Sequence, residues 1–379
     1  MAEKKAKKKF EWRQFLPILF MMLIGLVCGL YIGKYIAVVR HTKSISEIFL
    51  LIAELLLSFY LAIYLQIIFH EAGHWLFGRI TGYRFCSFRI GSFMWIKDGG
   101  KIRFCWLKLS GTGGQCLMTP PEMQEGRIPY VLYNLGGSLI NLLSAAVFTG
   151  VALLTKSIPV VSTLFILLAL VGAGYALTNG IPMRFGTINN DGYNALSLGK
   201  DPQALRSFWI QLKSNELGSK GMRVKDMPEE WFEIPSPEAM KNSLTAALGV
   251  LACNRMMDNK EFDKAAQTMR ELLNMDTGIV GLHRSLLMSD LVYCELIGEN
   301  RQEKLDEMLS KKQMQFMKAM KKFPTILRTQ YAYALLSEKN TAKAEQYKSA
   351  FEKIAKTYPS PGDIISEREL MAYAEHKIY

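Results

Sequence analysis

The chain has 379 residues, half of them hydrophobic, and 46 lysines and arginines against 34 acids give a formal net charge of +12. That length allows one large domain or two ordinary ones. The apolar residues are gathered into blocks rather than spread evenly, and the basic excess flanks those blocks, so the charge reads as a membrane-topology signal and not as a nucleic-acid face.

The chain opens on a basic leader, MAEKKAKKKFEWRQ, followed by an uncharged run over 15–33 long enough to cross a bilayer. This run is longer than a signal-peptide core and no A-x-A-like cleavage site follows it, so it is read as a retained signal anchor. A second span covers 48–69, interrupted by Glu54 and Gln66; a third runs over about 129–154 and a fourth over about 159–181. The leader carries six lysines and arginines and the 79–127 segment eight, whereas the other two loops hold three (Lys34, Arg40, Lys43) and one (Lys156). Four spans with both termini cytoplasmic satisfy this bias throughout. The expectation is a multi-pass integral membrane protein, in the cell membrane if the host is bacterial. Six cysteines show no CxxC pairing, and five fall on the cytoplasmic side, where thiols stay reduced; no function is assigned to them.

At the end of the second span stands IIFHEAGHWLFG, residues 67–78. His70 and His74 are four apart, so on a helix they share a face and can hold one ion. Zinc suits neutral imidazole nitrogens, and catalytic zinc sites use three protein ligands. Glu71, beside the first histidine, is placed to take a proton from an attacking water. The alternative, two histidines satisfied by hydrogen bonds at a helix end, fits poorly with their depth. A helix over 48–78 would be about 46 Å long, and with Arg79 at the boundary His70 lies roughly 13 Å inside it. Ionisable residues at such depth are rare and functional.

A third ligand must come from elsewhere. His41 lies on the far side, while His283 and His376 belong to a distal soluble segment. An acid returning to the cytoplasmic face is needed, and ALTNGIPMRFGTINNDGYNAL delivers Asp191 followed by Gly192.

The order HExxH, glycine-rich β segment, small-residue helix with asparagine, then NxxP and DG resembles the site-2 protease family of intramembrane zinc metalloproteases, peptidase family M50. The likeness covers about 61–198. It places His70 and His74 on the family's histidine ligands, Glu71 on its catalytic glutamate, Asp191 on its aspartate ligand, and Asn179 and Pro182 on NxxP. LGGSLINLL, residues 135–143, resembles the family's G-P-x-x-N helix, with Asn141 on the asparagine. A buried Asn141 beside zinc could orient substrate or stabilise an oxyanion, or simply bond between helices. In the β segment, FMWI and KIRFCWL read as strands joined by a turn at Asp98-Gly99-Gly100. Gly113-Gly114 resembles the family's pair before a membrane-associated edge strand, which pairs with unwound substrate; the alternative is an amphipathic hairpin lying on the headgroups. Two departures stand out. Ser138 replaces the usual proline, and Pro182 and Asp191 are nine apart where the family's spacing is five.

After 198 comes a linker with Pro228, Pro235 and Pro237, and Ser236-Pro237-Glu238 predicts a helix start. DNKEFDKAAQTMRELLNMD (258–276) resembles the second helix of a tetratricopeptide repeat, with a weaker echo over 338–359; a plain helical bundle is the alternative. The expected fold is mainly α and polytopic, with about four transmembrane helices, a small β-rich insertion and a cytosolic helical domain. Its divisions fall at 1–47 (leader, anchor and external loop), 48–198 (metalloprotease core), 199–245 (linker) and 246–379 (soluble helices, tetratricopeptide-like).

The expected function is that of a zinc endopeptidase embedded in the lipid bilayer. By the resemblance, its substrate is a membrane-anchored regulator or precursor peptide cut in or beside its span. A protein partner is expected at the helical domain and no nucleic acid anywhere. Two rivals are an inert scaffold acting through its helical domain, and an anchored zincin cutting soluble peptides at the membrane surface.

Overall fold

The computed structural model describes residues 16–39, 44–98, 100–107 and 113–377. The basic leader, the first residue of the first span, Arg40, His41 and Lys43, and Gly99 of the hairpin turn lie outside the described residues.

In chain order, α1 (Leu16–Val39) and α2 (Ile45–Ile80) precede four strands, β1 (Arg84–Ile90), β2 (Phe93–Asp98), β3 (Lys101–Trp106) and β4 (Gly114–Thr119). Then come α3 (Val131–Leu154), α4 (Pro159–Gly180), a short hairpin of β5 (Arg184–Phe185) and β6 (Ile188–Asn189), and α5 (Asp191–Ser197). Among the described residues nine further helices follow: α6 (Pro202–Ser219), α7 (Ser243–Asp258), α8 (Phe262–Asn274), α9 (Gly281–Ile297), α10 (Gln302–Met308), α11 (Lys311–Ala319), α12 (Pro324–Ala332), α13 (Thr341–Ala355) and α14 (Pro361–Glu375). The chain divides into two compact units, one of Met1–Gly82 with Pro129–Lys200, the other of Tyr83–Ile128 with Asp201–Tyr379.

The first unit is a bundle of α1–α4, each long and apolar enough to cross a membrane. Ser44 and Glu47 close a capping box at the start of α2, satisfying amides the helix leaves open. The helix then runs 36 residues, roughly 54 Å at 1.5 Å per residue. Ala62 of α2 and Leu167, Leu168 and Val171 of α4 form a buried cluster. Leu56, Leu57, Tyr60, Leu142, Leu143 and Leu153 point outward, as the low polarity of a lipid surround requires. Small residues set the helix crossings. A Cβ on Gly73 would lie 2.3 Å from the Gly136 carbonyl oxygen, so α2 and α3 touch backbone to backbone there.

The second unit joins the sheet to the later helices. The sheet is antiparallel in the order β3-β2-β1-β4, which puts β4 at an edge behind Gly113-Gly114. The hairpin read from FMWI and KIRFCWL is present, paired from Phe93 with Trp106 to Asp98 with Lys101. Met94, Ile96 and Cys105 form the buried face, while Phe93, Trp95, Phe104 and Trp106 present a half-exposed aromatic face. Trp209 of α6 donates to the Pro121 carbonyl and Lys213 pairs with Glu122, tying α6 to the segment after β4. The helices pack around a buried cluster that includes Met256, Met269, Leu287, Leu291 and Leu296. Ala265 and Leu272 belong to this core and Phe262 packs against it. The helix start expected at Ser236 is corrected: Ser236 Oγ accepts from the Ala239 amide of a single 3-10 turn over Ala239–Lys241, and α7 begins at Ser243 behind Asn242, whose side-chain Oδ1 accepts from the Leu244 amide. All six cysteines are buried free thiols.

Candidate metal centre

His70 and His74 come from one face of α2, and both are buried. The His74 Nδ1–H donates to the Tyr133 carbonyl at 2.7 Å, in the first turn of α3. A carbonyl can only accept, so the proton sits on Nδ1 and the Nε2 lone pair is left bare. His70 Nδ1 lies 2.7 Å from Asn141 Oδ1, which leaves its Nε2 bare in the same way. The two Nε2 atoms face each other at 3.1 Å. Gly137 makes room for this, since a Cβ there would stand 2.5 Å from the His70 ring.

Asp191 completes the cluster. Its Oδ2 is 3.1 Å from His70 Nε2 and 3.3 Å from His74 Nε2. The nine-residue separation from Pro182 is absorbed by the β5–β6 hairpin, which leaves the end of α4 and returns to it. Asn190 N–H donates to the Met183 carbonyl at 3.1 Å, and Asn190 Oδ1 accepts from the Met183 and Tyr193 amides, each at 2.9 Å. Its Nδ2 donates to the carbonyls of Thr178 and Ile181. Asn190 is thus both the clasp of the hairpin and the cap of α5. Gly192 then abuts α4, where a Cβ would be 2.2 Å from the Gly180 carbonyl oxygen. The DG pair therefore has a division of labour: the glycine gives close approach and the aspartate reaches the histidines. Ser138, in place of the family's proline, faces Gly180, where a Cβ would come within 3.2 Å of the Ser138 Cβ.

The donor set fits zinc. Two imidazole nitrogens and a carboxylate oxygen converge on one point, an arrangement suited to a cation. Their separations of 3.1–3.3 Å match the edge of a zinc tetrahedron, about 3.3 Å for bonds of about 2.0–2.1 Å. Among the described residues this is the one group of three histidine, cysteine or acidic side chains close enough to share an ion.

Glu71 is buried in α2 beside His70. Asn141 is placed differently from a substrate-facing group. It is fully buried, its Oδ1 is engaged by His70, and its Nδ2 donates to the Gln66 carbonyl at 2.9 Å and to Gln66 Oε1 at 2.7 Å. With its polar atoms so engaged, Asn141 bonds between α3 and α2 and holds His70. Asn179 bonds back to the Tyr175 carbonyl within α4. Sequence reasoning missed Tyr175, whose ring centroid lies 6.4 Å from that of His70, and Gln66, noted only as a break in the second span. Their helical spacing was the available signal: Gln66 is one turn before His70, and Tyr175 one turn before Asn179.

Bare-nitrogen histidines on one long apolar helix, met by an aspartate that a later helix returns, define a metal-binding site inside a bundle of membrane-crossing helices. The chain belongs to peptidase family M50, whose family model matches residues 58–357. Membership makes it a membrane-embedded metalloprotease of a zinc-dependent family, and the four apolar helices make it multi-pass. No curated protein and no solved structure gives a significant match to the chain.

Proposed function

We propose that this protein is an integral membrane zinc endopeptidase that cuts peptide bonds in or next to the membrane-spanning segment of a membrane-anchored regulator or precursor peptide, near the cytoplasmic face. The observation that carries the reading is the triangle of His70 Nε2, His74 Nε2 and Asp191 Oδ2, 3.1–3.3 Å on a side, in a bundle of apolar helices. His70, His74 and Asp191 would hold the zinc, which when bound would polarise the scissile carbonyl and lower the pKa of water. Glu71 takes the proton of the attacking water and hands it to the departing amide nitrogen. Burial of the cluster within the helices keeps bulk water from competing. A transmembrane helix shields its own peptide bonds with internal hydrogen bonds, so the substrate unwinds locally before it is cut. The helical domain, a tetratricopeptide-like module in this reading, holds a protein partner on the cytoplasmic side, where both termini lie.

The test uses full-length protein in proteoliposomes with a single-span peptide carrying a helix-weakening residue near one end of its span. Cleavage of the embedded peptide, lost in Glu71→Gln with zinc retained, supports the reading. Equal cleavage of a soluble peptide overturns the intramembrane part in favour of a surface-acting zincin. A wild type that binds no zinc and cuts nothing overturns the reading in favour of a scaffold.

A further inference from the structure

We propose that Gln66 is a positioning residue for the metal centre, fixing the orientation of Asn141 and through it the proton position on His70. The inference rests on the metalloprotease reading above. Gln66 lies on α2 one turn before His70, so residues 66, 70 and 74 form one stripe. It is 0 % exposed, and an amide in so apolar a bundle is costly unless its polar atoms are partnered.

Its partners fix every direction in turn. The Leu168 carbonyl of α4 can only accept, so the Gln66 atom 3.0 Å from it is Nε2–H and Oε1 points the other way. Oε1 receives Asn141 Nδ2 at 2.7 Å and Ser144 Oγ at 3.1 Å. The backbone carbonyl of Gln66 receives Asn141 Nδ2 at 2.9 Å. Two acceptors from one residue therefore hold the Asn141 amino group, and Asn141 can present only its oxygen to His70 Nδ1, 2.7 Å away. His70 then carries its proton on Nδ1 and keeps Nε2 bare. Without Gln66 Oε1, the Asn141 amide is freer to turn. Its amino group toward Nδ1 would move the His70 proton to Nε2, where it blocks the metal. Gly172 of α4 leaves the space for this, since a Cβ there would lie 2.7 Å from Gln66 Nε2. Three helices thus meet at one glutamine, and partners that orient metal-bound histidines typically carry about 10- to 100-fold in metal affinity.

The test measures zinc affinity by chelator competition, and the d–d spectrum of the cobalt(II) form, on full-length protein in detergent. The variants are Gln66→Leu, Gln66→Met and Gln66→Glu. Leucine and methionine remove the amide, and glutamate keeps an acceptor at the Oε1 position. We expect zinc binding weakened about 10- to 100-fold in the first two, with a shifted cobalt spectrum, and largely restored in Gln66→Glu. The unbranched methionine, close to glutamine in length, serves where leucine fails to fold, as judged by circular dichroism. Wild-type affinity and an unchanged spectrum in a folded Gln66→Met would overturn the proposal while leaving the metal centre intact. If the wild type binds neither ion, the metalloprotease reading fails, and this inference with it.

Discussion

Gly73 and Gly136 touch through their backbones, each glycine's missing Cβ leaving the place taken by the other's carbonyl, at 2.3 and 2.5 Å. This contact sets how closely α2 and α3 approach, and so brings Tyr133 and Asn141 within reach of the two histidines. Gly73→Ala or Gly136→Ala must push the helices apart, and inserted methyl groups in packed interiors typically cost about 1–3 kcal/mol. The larger effect falls on the site. Zinc content after chelation and reloading should drop well below one per chain in both, whereas Gly150→Ala, with open space around its Cβ, retains its zinc.

Asp191→Ala removes the only anionic ligand of the three. Zinc affinity should fall more steeply than in Asn141→Ala, which leaves all three donor atoms in place and is expected to lose about 10- to 100-fold. Equilibrium dialysis of the two variants against buffered zinc ranks them. The reverse order would remove Asp191 from the ligand set.

Asn190→Ala tests whether the hairpin positions the aspartate. It deletes four side-chain bonds, to Met183, Tyr193, Thr178 and Ile181, and loss of a helix cap alone costs about 1 kcal/mol. The variant should fold with ordinary helix content and hold zinc weakly. Zinc binding as tight as wild type would show that Gly192 against Gly180 suffices.

In the helical domain, Arg328 is buried between Asp290 and Glu367 and stacks on Tyr293, with its Nε donating to Glu367 at 2.8 Å. Arg328→Met strands two carboxylates, and breaking a buried pair in this way costs about 3–5 kcal/mol. Thermal melts followed by circular dichroism read the loss.

Burial, reinforced by Glu367 and opposed by Arg328, pushes the Asp290 carboxyl up to about 6. The folded state therefore holds this proton more tightly than the unfolded chain. Its contribution is complete below the unfolded value near 4 and is lost as pH rises toward about 6. Asp290→Asn lacks that loss, so its stability relative to wild type should climb across the same window, by up to about 3 kcal/mol. Denaturant melts of both proteins at pH 4, 5 and 6 give the slope.

The four apolar helices and the HEAGH stripe were legible because each is a local pattern, hydropathy over a span or identity at a helical spacing. Asp191 was legible as an acid at the right place in the chain, but its route was not. The clasp between Asn190 and Met183 depends on a hairpin of two-residue strands, too short for any periodicity to reveal. In the sheet, β2 and β3 were readable from alternation around a glycine turn, whereas β1 carries an irregularity between Phe85 and Ser87 that breaks the two-residue period. The start of α7 was misjudged because serine followed by proline is a good local cap, while Asn242 has a tertiary tie as well, donating to Asp201. Gln66 looked like a blemish in an apolar run, since nothing local says that Leu168 and Asn141 lie on either side of it.

The β5–β6 excursion makes the linear distance between Pro182 and Asp191 irrelevant to the metal. The points of departure and return, Met183 and Asn190, are clasped to each other, and the two short strands pair between them. The tip between them, at Gly186, has open space around it, and loop closure grows only slowly with length, about 0.6 kcal/mol per doubling. An epitope tag or a fluorescent amino acid could be inserted there without retuning the centre. It would report on the cluster from a few residues away, in a protein whose apolar helices offer few other places to put one.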